Sequence, residues 1–342
     1  MNLRSITALL AAILLGVLLL GCGASLPDEC PPECIGESLF GKDLSNINLS
    51  GAQLIGADLR EAELVETDLS GANLSSARLV EAKLESANLD QAVLVGADLT
   101  GANLRNAEMQ KADLRGAVFR GSSLVRVDLS TALMSGISFI RAELIGSILR
   151  GVNLSGVQIY EADLSGADLK EADLSGAALS YSNLNGAELQ KAALSGAWLN
   201  LASLVGSNLN QADLSGSTMF AADLTGANLS GAKLNGAGLI GANLSGVDLR
   251  GADLTGAVLQ LPLPDDAGPD YSYDDLTGDE LLRALLSQEN LSKVANDPAE
   301  LALNETQLKP LLKDAVLQGV VYNEDTIWPL GYEIPPSAVL QP

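Results

Sequence analysis

The sequence predicts an all-β solenoid, and three observations carry that prediction. A large apolar residue stands at every fifth position from Leu44 to Leu259 without a slipped frame, forty-four units in succession. A small or β-branched residue, most often Ala, lies two places before each but the first, as in Ala57-Asp58-Leu59 and Ala252-Asp253-Leu254. Glycine stands two places after in about half the units. An apolar pair spaced two apart and repeated every five matches neither the 3.6 period of a helix nor the sustained alternation of a strand. Each glycine would also cost a helix about 1 kcal/mol relative to Ala. A solenoid fits instead: every unit turns a corner, the Leu and the small residue point inward, and the other three face water. No single turn can bury its own apolar residues, so the core exists only when turns stack.

The inward row is nearly uniform. Thirty-eight of the forty-four positions are Leu, and the others are Met109, Phe119, Met134, Phe139, Ile159 and Met219. The unit Ala-(Asp/Asn)-Leu-(Ser/Thr/Arg)-Gly in tandem resembles the pentapeptide-repeat family, over about two thirds of the chain. The resemblance implies a right-handed quadrilateral β-helix with four units per turn, hence about eleven coils. At ~4.8 Å per coil the rod would be roughly 53 Å long.

The organisation along the chain follows. Residues 1–21 read as an export signal, with Arg4 ahead of the apolar run Ile6 to Leu20, which is short for a membrane span. Leu19-Leu20-Gly21-Cys22 resembles the lipobox of bacterial lipoproteins, which implies cleavage before Cys22, acylation of its thiol, and an extracytoplasmic, membrane-anchored lipoprotein of the cell envelope. A plain transmembrane anchor is the alternative. With Cys22 acylated, Cys30 and Cys34 are free to pair across Cys-Pro-Pro-Glu-Cys, as an oxidising compartment permits. Residues 22–38 are assigned to a tether and N-terminal cap, with Gly36 to Lys42 covering the open end, and 39–261 to the repeats.

Residues 262–275 form an acidic linker, and 276–342 a helical segment with a closing motif. Thr277 and Glu280 make a capping box, and Leu281, Leu282, Leu285 and Leu286 give the helix one apolar face. Further helices are expected from Asp297-Pro298 and between Asn304 and Val316. Val321 to Tyr332 resembles a closing motif that follows pentapeptide repeats in bacterial proteins. The expected role of the whole segment is to cap the open coil, whose unpaired edge invites end-to-end association.

Composition narrows function. The chain has no histidine, which removes Ser-His and Cys-His nucleophile pairs and the usual zinc sets. Its formal charge of −23 opposes phosphate binding, so no nucleic acid is expected as a partner. No phosphate loop is present, and a smooth rod offers no cleft for a pair of catalytic carboxylates. No enzyme activity and no cofactor are expected.

Sorted twenty residues apart, the units fall into four columns. Four of the six departures from Leu lie in the column that runs Leu59, Leu79, Leu99, Phe119 onward. Outward positions on the same face include Val118, Ile140, Tyr160, Tyr181, Trp198, Leu201, Phe220, Ile240 and Val258, an expected apolar strip of the kind that marks interaction surfaces. The face two columns away carries Asp68, Glu108, Asp128, Asp168, Glu188 and Asp248. The function expected is a non-catalytic, surface-anchored protein-binding or structural scaffold, whose partner is the protein's own tail, a second copy or another envelope protein. One alternative is an acidic, DNA-like rod regulating a topoisomerase such as gyrase, as some pentapeptide-repeat proteins do. Another is a calcium-binding envelope protein, although no loop has a calcium motif.

Overall fold

The computed structural model describes residues 34–259 continuously, together with 320–322, 324–329, 334, 336 and 338–340. The expected signal peptide, tether, linker and helices lie outside the described residues.

Residues 34–259 form a quadrilateral β-helix. Parallel bridges join residues twenty apart, from Ser38 with Asp58 to Gly238 with Val258, so four five-residue units complete one turn. The inward Leu row from Leu44 to Leu259 is buried throughout, and the residue two places before it is buried with it in nearly every unit, the exceptions being Lys42, Ile47 and Ala132.

One unit shows why the sequence takes this shape. In Ala172-Asp173-Leu174-Ser175-Gly176 every backbone N–H has a named acceptor. Ala172 closes the preceding corner by donating to the Leu169 carbonyl at 3.1 Å. Asp173 donates back to Val152 at 2.9 Å, while Leu174 and Gly176 donate forward to Ala193 and Ser195 at 2.7 and 2.9 Å. The Ser175 N–H sits outside the ladder, and the Asp173 carboxylate accepts it at 3.0 Å. Complete pairing matters because a buried or half-buried backbone group without a partner costs about as much as a lost hydrogen bond. The Asp/Asn preference therefore has a structural cause: the position needs a short side chain with an oxygen that reaches two residues on. Asn48, Asn73 and Asn228 do the same without charge.

The fifth position turns the corner. At this place from Gly36 to Gly256, φ lies between +50° and +70° at every residue but Thr131. Glycine enters this region freely, unbranched residues at a cost, and β-branched residues with the greatest difficulty. Thr131 is the one β-branched residue in the row.

Both ends of the described rod refine the expected organisation. Cys34 and Leu39 are fully buried in the same register as Leu44, and Cys34 and Gly36 already donate to Gln53 and Ile55. The stretch expected to cover the open end is thus itself coil, because its residues keep the five-residue frame. At the other end the closing motif extends the helix. Val321 bridges Asp248, and Ile327 bridges Asp253. Val320 fills the small inward position, and the Thr326 hydroxyl donates to the Leu249 carbonyl at 2.8 Å. Tyr322 and Trp328 meet edge to face, centroids 5.6 Å apart, over the last coil. A parallel pair then adds one more layer, β1 (Val321–Tyr322) with β2 (Val339–Leu340). Aromatic bulk closes the core where another Leu layer would otherwise be needed.

Candidate functional site

The bridge register fixes four outer faces, and two opposite ones differ most. On the first, the central outward positions from Ser138 onward are Gln158, Ala178, Trp198, Thr218, Gly238 and Val258, each bridged to the next. None is charged. Earlier on the same face stand Asp58, Arg78 and Asp98. The corner that follows this face contributes the charged pair Arg141 and Glu161, which neutralise each other at 2.6 Å. That contact holds the Glu161 carboxyl below its ordinary range.

The predicted strip lies on this face and corner, but it is less exposed than its composition suggests. Tyr181 is exposed; Val118, Tyr160, Trp198, Leu201, Phe220 and Val258 are half-buried. Ile140 and Ile240, at outward corner positions, are only 5% and 3% exposed. Trp198 sits in the ladder between Ala178 and Thr218. Thr218 is 4% exposed, and its hydroxyl has no hydrogen-bond partner. Small residues beside a large aromatic make a relief of one ridge and shallow steps.

The opposite face is acidic, and its carboxylates are engaged by the fold. Asp68, Asp128, Asp168 and Asp248 each accept the backbone N–H two residues on. Asp168 also takes the Arg150 guanidinium from the previous coil at 2.6 Å. Arg250 grips Asp248 across one intervening leucine, and its side-chain hydrogen bond keeps that carboxyl below its ordinary range. The same Asp-Leu-Arg clasp recurs at Asp58–Arg60 and Asp113–Arg115, both 2.6 Å. It holds the Asp58 carboxyl down at about 2. Residues i and i+2 flank the inward Leu and point outward together, which brings the two charges into contact. Reading the unit position by position misses this pairing, although the spacing was there to find it.

Cys34 is buried in the inward row and disulfide-bonded. Cys22 and Cys30 lie outside the described residues. Among the described residues, no group of three or more Cys, Asp or Glu is arranged to hold a metal ion. No helix there is long and apolar enough to cross a membrane.

Comparison with known families gives overlapping matches to Pentapeptide repeats (8 copies), from residues 43–80 and 82–121 through to 222–260. The chain belongs to the pentapeptide-repeat family. Proteins of this family are generally non-catalytic repeat scaffolds. Several solved structures are similar to this pentapeptide-repeat protein. HetL of Nostoc sp. strain PCC 7120, a protein involved in heterocyst differentiation regulation, is 33% identical, with 78% of this chain and 99% of that one covered and a TM-score of 0.23. Rfr23 of the cyanobacterium Cyanothece 51142 is 35% identical over 32% of this chain and 88% of its own, TM-score 0.31. QnrB1, a plasmid-mediated fluoroquinolone resistance protein, is 22% identical over 56% and 85%, TM-score 0.25. No curated protein sequence matches.

Proposed function

We propose that this pentapeptide-repeat protein is a non-catalytic scaffold of the bacterial envelope, anchored through an acylated Cys22, whose uncharged face docks a protein partner. The carrying observation is the contrast between faces: the outward column from Ser138 to Val258 holds no charge, while the opposite column is acidic. Specific docking surfaces are poor in charge at their centre and rich in aromatic residues, and the Trp198, Tyr181 and Phe220 group has that character. Acidic side chains tied into turns and clasps serve the fold and the solubility of the rod, which supports the scaffold reading over charge mimicry. The twenty-residue bridge step from residue 34 to 259 supports about eleven coils. A helical segment from 276 onward remains part of the proposal.

Photocrosslinking from the Tyr181 position in intact cells tests the docking. The expected outcome is one crosslinked protein that disappears in the Trp198→Ser, Phe220→Ser double variant. A product that survives the double variant, or no product from any position on this face, would overturn the reading. Fractionation with palmitate labelling tests the anchor: Cys22→Ala should lose the label and leave the membrane fraction. Soluble protein in the wild type would favour the alternative, an acidic rod acting on a DNA-handling enzyme.

A further inference from the structure

We propose that the rod is jointed at Thr131: the coils from residue 107 to 153 form a compliant seam between two stiffer halves. The first observation is the turn itself. Thr131 alone departs from the left-handed corner conformation between Gly36 and Gly256.

The second observation is the ladder beside it. Among the described residues, the twenty-residue bridges from Ser38 to Val258 are unbroken except at two steps, Glu108 with Asp128 and Leu133 with Asn153. These lie on the two faces that meet at the Thr131 corner. The coil-to-coil backbone bonds expected from Met109, Asp128, Thr131, Met134, Gly136 and Asn153 do not form. At Lys111 a substitute has taken over: its N–H donates to the Thr131 hydroxyl at 2.9 Å instead of to a backbone carbonyl. That hydroxyl in turn donates to the Gln110 side chain at 3.0 Å.

The third observation is the core. Small inward positions that are mostly Ala elsewhere hold Val127, Ile137 and Val152 in these coils, and the Leu row holds Met109, Phe119, Met134 and Phe139, with Val157 and Ile159 directly after them. Phe119 and Phe139 touch, centroids 5.5 Å apart. Extra bulk at facing inward positions forces walls apart, and a wall pushed outward cannot keep its bonds to the coils on both sides. Leu133 and Ile148, on the two faces with broken steps, are 55% and 41% exposed.

A continuous ladder resists bending because each coil is bonded to the next on all four faces. Here one face loses its step to the preceding coil, Glu108 with Asp128, and the adjacent face its step to the following coil, Leu133 with Asn153, while the other two faces keep every step and act as the pivot. The joint also divides the surface chemistry. Charged Asp58, Arg78 and Asp98 lie before it, and the uncharged stretch from Ser138 to Val258 lies after it on the same face. On the docking reading, the partner face belongs to one half and moves as a unit relative to the other.

Hydrogen exchange on the full-length protein tests the joint, with Thr131→Gly and Thr131→Val beside the wild type. Glycine is the usual residue at this corner, so the first variant folds as its neighbours do. Backbone amides of Met109, Asp128, Met134 and Asn153 are expected to exchange at least about tenfold faster than their counterparts two coils on. Thr131→Gly should slow them towards those counterparts, and Thr131→Val should speed exchange at Lys111. Uniform protection along the rod would overturn the joint, and fast exchange that Thr131→Gly leaves unchanged would overturn the role of Thr131. Neither result touches the docking proposal, which crosslinking from Tyr181 reads separately.

Discussion

The coils around Leu174 and those around Thr131 obey the same five-residue rule, yet only the first set keeps every bridge. Both have an inward apolar row, a small residue two places earlier, and a corner after each wall. They differ in two details: a β-branched residue at one corner, and bulk where Ala is usual. The comparison teaches that the leucine frame decides whether a coil forms, while the corner residue and the small inward residue decide how firmly it is bonded to its neighbours.

The largest effect comes from opening a cavity in the regular part. Leu189→Ala removes a fully buried side chain from a wall bonded on both sides, which cannot collapse inward. We expect a loss of about 2–5 kcal/mol, read as a lowered melting temperature and as exchange spreading to the flanking coils. Met134→Leu, in the seam, changes little volume and should cost less than about 1.5 kcal/mol. Equal losses at the two sites would mean that the seam is packed as rigidly as the rest.

Next comes the attempt to copy the seam elsewhere. Gly176 has φ +64°, and a Cβ built there meets nothing within 4 Å. Any penalty at this corner is therefore conformational, not steric crowding. Gly176→Val should cost about 1–2 kcal/mol and loosen the local amides, as Thr131 does in its own coil. Gly176→Asn should stay well under about 1 kcal/mol, since Asn visits the left-handed region. If Val is tolerated as well as Asn, the corner conformation is not what separates the two regions.

Much of this was legible in the sequence, and the illegible part has physical reasons. The period of five and the apolar pair two apart dictate burial without reference to any neighbour, so the β-helix could be read directly. The role of Asp173 could not, because it rests on a backbone N–H whose lack of a ladder partner becomes visible only once the coil is built. Thr131 was legible in principle, as the one β-branched residue in a column of Gly, Gln, Lys and Glu. The burial of Ile140 and Ile240 was not, since outward direction is set by register but exposure depends on what lies alongside. Tyr322 and Trp328 stand outside the five-residue frame, and only the bridges of their neighbours Val321 and Ile327 to Asp248 and Asp253 place them over the last coil.

The smallest effect concerns the clasps, which separate what the turn requires from what charge adds. Asp58 accepts the Arg60 backbone N–H at 3.4 Å and the Arg60 guanidinium at 2.6 and 2.7 Å. The guanidinium contact is the chief reason its carboxyl titrates at about 2, against about 3.9 for a free Asp. A carboxyl whose folded value is depressed stabilises the fold above the unfolded value, and that contribution is lost as the pH falls through the folded one. The Asp58 contribution should therefore be present above about pH 4 and disappear between about pH 4 and pH 2. Asp58→Asn keeps an oxygen for the turn and gives up the ion pair, so at neutral pH it should cost less than about 1 kcal/mol. The variant should also unfold with a flatter dependence on acid than the wild type. Asn48 already serves its turn without charge in the first coil, so a large loss at neutral pH in Asp58→Asn would show that the clasp, rather than the turn, holds that corner.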